Sequence, residues 1–64
     1  MLYYAVKKGK KFHDVDGNWS KLGIDTHFMG KTHAKNEIAL LVDEGMKCSL
    51  AKVELTLDEV QEVN

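Results

Sequence analysis

Proline is absent from this 64-residue chain, and so is any apolar run near the roughly 18 residues that a membrane-spanning helix needs. A bilayer span and a Pro-rich linker are both excluded as readings, and no internal repeat or low-complexity stretch takes their place. Met1-Leu2-Tyr3-Tyr4 leads straight into a strand pattern without the layout of a signal peptide. Cys48 is the one cysteine, so no disulfide can form within the chain. A buried thiol in a reducing compartment is the reading that follows, which places the protein in the cytoplasm with no membrane partner.

Residues 1–64 are expected to form a single domain. A chain of this length hides only about 60% of the surface its unfolded form exposes, so the core is thin. Disulfides, metals and partner subunits are the usual supports at this size. With the first excluded, a homodimer becomes one expectation.

The net charge of −1 conceals a division. Residues 1–35 carry seven lysines against Asp14, Asp16 and Asp25, a balance of +4, while residues 36–64 carry Lys47 and Lys52 against seven acids, a balance of −5. Such polarity suits a basic binding face or head-to-tail self-association. The plainer reading is preferred: lysines solubilise exposed strand edges while the acids cluster around the helices.

Leu2 to Lys8 alternates, with Leu2, Tyr4 and Val6 on one parity and Tyr3, Ala5 and Lys7 on the other, which is the strand period. Gly9-Lys10 marks a turn, Phe12 to Val15 a second strand, and Asn18-Trp19-Ser20 the start of a third. Asp16-Gly17 is the strongest turn signal, of the type I′ kind that needs positive φ at both central residues. Thr26 to Met29 reads as a further short extended piece. Thr32 reads as the N-cap of a helix over residues 33–44, with Ala34, Ile38, Leu41 and Val42 within one arc of about 100°. Gly45 stands where a left-handed C-cap residue belongs. A returning strand spans residues 46–57, with a change of phase at Leu50-Ala51 that suggests a bulge. Thr56-Leu57-Asp58-Glu59 matches a capping box, and Leu57, Val60 and Val63 then suggest a short C-terminal helix.

The expected fold is therefore α+β: a small antiparallel sheet built as a three-strand meander, a helix, and a returning strand, with one sheet face packed on the helix. Tyr4, Val6, Phe12, Trp19, Ile38, Leu41, Val42, Val53 and Leu55 are the expected core.

Several stretches look chemical. Asp14, Asp16, Asn18, Ser20 and Asp25 fall at positions 1, 3, 5, 7 and 12 of a calcium loop. Position 6, which should be glycine, is Trp19; position 8, usually apolar, is Lys21; and the preceding segment reads as strand. A hairpin turn accounts for Asp-Gly without an ion. Gly30-Lys31-Thr32 lacks the upstream glycine of a phosphate-binding loop, a place held by Asp25. His13, His27, His33 and Cys48 match no zinc spacing, and Cys48 lies in an apolar strand that disfavours a thiolate. We expect no metal, no cofactor and no catalytic residue, and so a protein that is not an enzyme.

Two surfaces remain. Lys7, Lys8, Lys10 and Lys11 crowd the first turn, with Tyr3 and other rings near them, and lysines beside exposed rings bind single-stranded nucleic acid. On the helix, Leu40 falls outside the apolar stripe beside Asn36, Asp43 and Glu44, an exposed apolar residue in a very small domain.

Tyr4-Ala5-Val6, Lys8-Gly9, Phe12 to Trp19, Thr32 to Val42 and Ala51 to Leu55 together resemble small uncharacterised proteins encoded by phages and prophages of Gram-positive bacteria. That resemblance covers most of the chain and implies an accessory protein that acts by protein–protein contact, for example on a host factor, with no catalytic residue to transfer. Tyr3 to Gly9 is also similar to the opening of the N-terminal hybrid-binding domain of some RNases H, although its later Gly-Ile/Val-Tyr-x-x-Trp segment is missing here. It implies binding of single-stranded nucleic acid or RNA–DNA hybrid as the alternative.

Overall fold

The alternation of the first segment becomes β1 (Leu2–Lys8), which the computed structural model, describing residues 1–63, places in the middle of a five-stranded sheet. β2 (Lys11–His13) and β3 (Trp19–Ser20) lie on one side of it, β4 (Ser49–Leu55) and β5 (Val60–Val63) on the other. The order is β3-β2-β1-β4-β5, antiparallel throughout. The helix α1 (Lys31–Asp43) connects β3 to β4 in sequence, so the chain is a small α+β fold. Among the described residues no helix is long and apolar enough to cross a membrane.

Turn chemistry sets the hairpins. Lys8 pairs with Lys11, which leaves Gly9-Lys10 as a two-residue turn with Gly9 at φ 64° and no positive φ at Lys10, the type II′ pattern. The second hairpin departs from the expected type I′ turn. Asp16 does not take positive φ; only Gly17 does, at 83°. The Gly17 amide donates to the Asp14 carbonyl and the Asp14 amide to the Asn18 carbonyl, which is a three-residue loop closed by a left-handed glycine. Gly17→Ala therefore costs about 1–2 kcal/mol through the left-handed φ alone. Gly23→Ala, at an ordinary φ with its nearest contact at 3.9 Å, leaves the denaturation midpoint almost unchanged.

The sheet is buried on both faces, which the one-faced expectation missed. Val6, with Met29 and Ala34, forms a cluster beneath α1, flanked by Tyr4, Trp19, Ile38, Leu41, Cys48 and Leu50. Ala5, Phe12, Ala51 and Val53 form a second cluster on the opposite face, covered by Leu22, Phe28 and Val60. Leu22 and Phe28 come from the loop between β3 and α1, and Val60 from β5. That loop is tied to the sheet by two single bridges, Asp14 with Thr26 and Tyr4 with Met29, the latter through reciprocal 2.8 Å backbone hydrogen bonds. Expected core residues divide accordingly: Phe12 and Val53 belong to the second cluster, Leu55 is half-buried, and Val42 is 52% exposed.

Double-sided burial also explains the change of phase at Leu50-Ala51. There is no bulge: β4 pairs with β1 in unbroken register from Ser49 to Glu54. Leu50 and Ala51 simply enter different clusters, as their partners Val6 and Ala5 do. The register also lays Lys7, Ala51 and Glu62 along one diagonal, and the small alanine lets the Lys7 ammonium reach the Glu62 carboxylate at 2.8 Å.

Three boundaries differ from expectation. The helix spans Lys31–Asp43 rather than residues 33–44, and its N-cap is Gly30 with no side-chain cap; Thr32 is exposed inside the first turn. The bridge that fixes Met29 brings the chain straight into the helix, and the Ala34 amide already bonds the Gly30 carbonyl. The returning strand is Ser49–Leu55, because Gly45, at φ 90°, and Met46 end the helix in a Schellman motif: the Gly45 amide bonds the Val42 carbonyl and the Met46 amide the Leu41 carbonyl. Finally, among the described residues no C-terminal helix forms. Thr56 and Glu59 do bond as a capping box would, but the Thr56 amide also bonds the Glu59 carbonyl and closes a turn into β5. The open edge of β4 takes up Val60–Val63, a tertiary preference that overrides the local one.

Candidate functional site

Asp14, the first residue of the candidate calcium loop, is buried and its carboxylate is filled from within. Its Oδ1 accepts from the Asn18 amide at 2.8 Å and the Asp16 amide at 3.0 Å, and its Oδ2 accepts from the Ser20 hydroxyl at 3.0 Å. The Asn18 amide holds the carboxyl below its ordinary value; burial opposes this, and the Ser20 hydroxyl, the Asp16 amide and the nearby His13 reinforce it. Asp16, Asn18 and Asp25 are exposed around the loop, and Asp25 contributes its backbone carbonyl to Val15. The loop is a turn organised on one carboxylate.

The histidines divide into separate places. His13 lies between Trp19 and His27, with ring centroids at 5.0 and 6.4 Å, and its Nδ1 is buried without a hydrogen-bond partner. His33 is on α1, and Cys48 packs against the Val6 cluster. Among the described residues no three His, Cys, Asp or Glu side chains converge as a metal site.

The lysine hairpin does not make one surface. Neighbouring strand residues point to opposite faces, so Lys7 and Tyr3 lie on the Phe12 face while Lys8 and its partner Lys11 lie on the helix side. Lys7 is held by Glu62 and sits 5.6 Å from the Phe12 ring centroid; Lys8 covers the Trp19 ring at 4.6 Å; Lys31 stands 5.9 Å from the centre of Tyr4. Phe12 itself is buried, and Tyr3 is tilted against Phe28 at 6.1 Å with its hydroxyl donating to the Met1 sulfur. Rings that a base would stack on are thus engaged by lysines of the same chain or by the core. Lys10 and Lys11 are exposed at the turn.

Asn36, Leu40, Asp43 and Glu44 all lie exposed on the outer side of α1, and Leu40 keeps 62% of its surface. Asn36, Leu40 and Asp43 are spaced i, i+4, i+7 and form one stripe. Beside it runs a second row, His33, Glu37 and Leu40, and its first two members line an open cleft of ≈ 440 Å³ with His27, Phe28, Met29 and Gly30. Leu40 thus stands one turn beyond the cleft, with Glu37, Asp43 and Glu44 around it. Sequence reasoning found Leu40 but missed the cleft, since only the Met29–Tyr4 bridge brings Phe28 to the start of the helix. Comparison of the chain with protein-family models, with curated proteins and with solved structures finds no match.

Proposed function

We propose that this domain is a non-catalytic protein-binding module whose contact surface is the outer side of α1, centred on Leu40 and running into the Phe28 cleft. The observation that carries this reading is a large apolar side chain, 62% exposed, flanked by Asn36, Asp43 and Glu44 and one helical turn from Glu37, which lines the Phe28 cleft. Glu37, Asp43 and Glu44 give the surface an acidic rim, so its partner is a protein presenting an apolar anchor among basic residues. The resemblance to small phage and prophage proteins supports an accessory role of this kind, on a host factor in the cytoplasm. The engagement of Lys7, Lys8 and Lys31 with groups of the same chain favours this reading over binding of single-stranded nucleic acid.

The test compares the wild-type chain with Leu40→Asp and, as a control, Ile24→Asp at a distant exposed apolar residue. A partner captured in stoichiometric amount by wild type should be lost with Leu40→Asp, its affinity falling about 30-fold or more, as for a buried apolar anchor. It should be retained by Ile24→Asp. A partner that binds Leu40→Asp as tightly as wild type would remove this surface from consideration.

A further inference from the structure

We infer that copies of this chain associate head to tail, the Leu57-Asp58-Glu59 turn of one copy seating in the groove between Val42, Met46 and Gly9 of the next. Leu57 is fully exposed, at 104%, on the β4–β5 turn. That turn is held in shape by the Thr56 amide bonding the Glu59 carbonyl and the Glu59 amide bonding the Thr56 hydroxyl. Leucine is therefore presented on an ordered projection with Asp58 and Glu59 beside it.

The groove lies at the other end of the molecule. Val42, Met46, Cys48 and Gly9 supply its apolar wall, with Lys7, Lys47 and Ser49 around them, and it encloses ≈ 450 Å³. Val42 and Met46 are there because the Schellman motif turns the chain at Gly45, leaving both partly uncovered next to the first hairpin. Asp43 and Glu44, exposed next to Val42, do not line the groove. Lys47 lines the groove and Lys10 is exposed beside Gly9, while Asp58 and Glu59 flank Leu57 on the turn.

A single chain cannot bring the two together. The turn follows Leu55, whose amide bonds the Met1 carbonyl at the start of β1, and the groove begins where Lys7 pairs with Ser49. β1 separates them by roughly 20 Å at the rise of an extended strand. A second copy brings both at once, apolar turn to apolar groove and acids to lysines. Two different patches make a heterologous contact, which repeats rather than closing at two copies unless the rotation forms a ring.

Sedimentation across a range of concentrations tests this. The wild-type mass should rise above that of a monomer with concentration, in the high-micromolar range expected of so small a contact, and fall again with added salt. Leu57→Asp and Val42→Asp should each be monomeric, with circular dichroism unchanged because both positions are exposed. Mixed in equal amounts, they should form a 1:1 pair and nothing larger, since one supplies an intact groove and the other an intact turn. Leu40→Asp should associate as wild type does. A wild-type chain that stays monomeric up to about 1 mM would overturn the proposal. So would association by Leu57→Asp alone, or a mixture of the two variants that fails to pair.

Discussion

Phe12→Ala should remove a large part of the domain's stability and lower its melting temperature by about 15 °C or more. Phe12 is only 5% exposed and is the one large ring inside the cluster formed by Ala5, Ala51 and Val53. Truncating a buried phenylalanine costs about 3–5 kcal/mol through lost transfer energy and the cavity left behind. A chain of this length is expected to hold only about 3–10 kcal/mol in total. The neighbours cannot close the gap, because Ala5 and Ala51 are small and fixed in register, and Leu22 and Phe28 over them come from a loop rather than a rigid element. Thermal melts by far-UV circular dichroism should show that shift for Phe12→Ala. Phe12→Leu, which retains most of the volume, should shift much less. Ile38→Ala supplies the comparison on the opposite face, where a half-buried side chain is expected to cost less. If Phe12→Ala stayed within about 1 kcal/mol of wild type, the second core would contribute far less than its burial implies.

That second core is also where sequence reasoning stopped short. The period of β1, the glycine turns, the helix and the antiparallel return were all legible, because each is a local pattern. The covering of both sheet faces is not local. A loop carrying Leu22 and Phe28 has no period, and what places it is a pair of bridges, Asp14 with Thr26 and Tyr4 with Met29, between residues distant in sequence. One trace was available: apolar residues stand on both parities at Ala5-Val6 and at Leu50-Ala51, as in strands buried on both sides. Read with one face in mind, that trace looks like a bulge. The C-terminal segment failed for a different reason, since a threonine three residues before a glutamate can bond in the same way at a helix start and in a tight turn. Only the open edge of β4 decides between them.

The candidate surfaces follow the same division. Leu40 was legible because a helix of 3.6 residues per turn assigns every residue a direction. How the lysine hairpin is arranged was not legible in the same way, because its residues are adjacent in sequence, and adjacency in a strand means opposite faces. Lys7 and Lys8 show this directly: one crosses the Ala51 diagonal to Glu62, and the other covers Trp19. The lysines of the first hairpin are thus spread round it rather than gathered on one face.

Asp14→Ala should destabilise the domain strongly even though a turn residue is being changed. The carboxylate satisfies two backbone amides and one hydroxyl, and two of these donors lie in the loop that joins β2 to β3. Without it those amides lose their acceptor in a partly buried place, and the Asp14–Thr26 bridge that anchors the covering loop loses its fixed end. The melting temperature should fall by about 10 °C or more. Asp14→Asn should be milder, because its amide oxygen can still accept from the Asp16 and Asn18 backbones. The acid limb of stability separates charge from shape. The Asp14 carboxyl titrates below its ordinary value of 3.8 in the folded chain, so the unfolded chain takes up the proton first as pH falls. Its contribution is complete above the ordinary value and is lost as pH drops through the lowered one. Denaturation midpoints measured from neutral pH down through that range should decline for wild type, and the decline should be shallower for Asp14→Asn, which has no proton to gain. Equal slopes for the two would mean that the acid sensitivity comes from other carboxylates and that Asp14 acts through hydrogen-bond geometry alone.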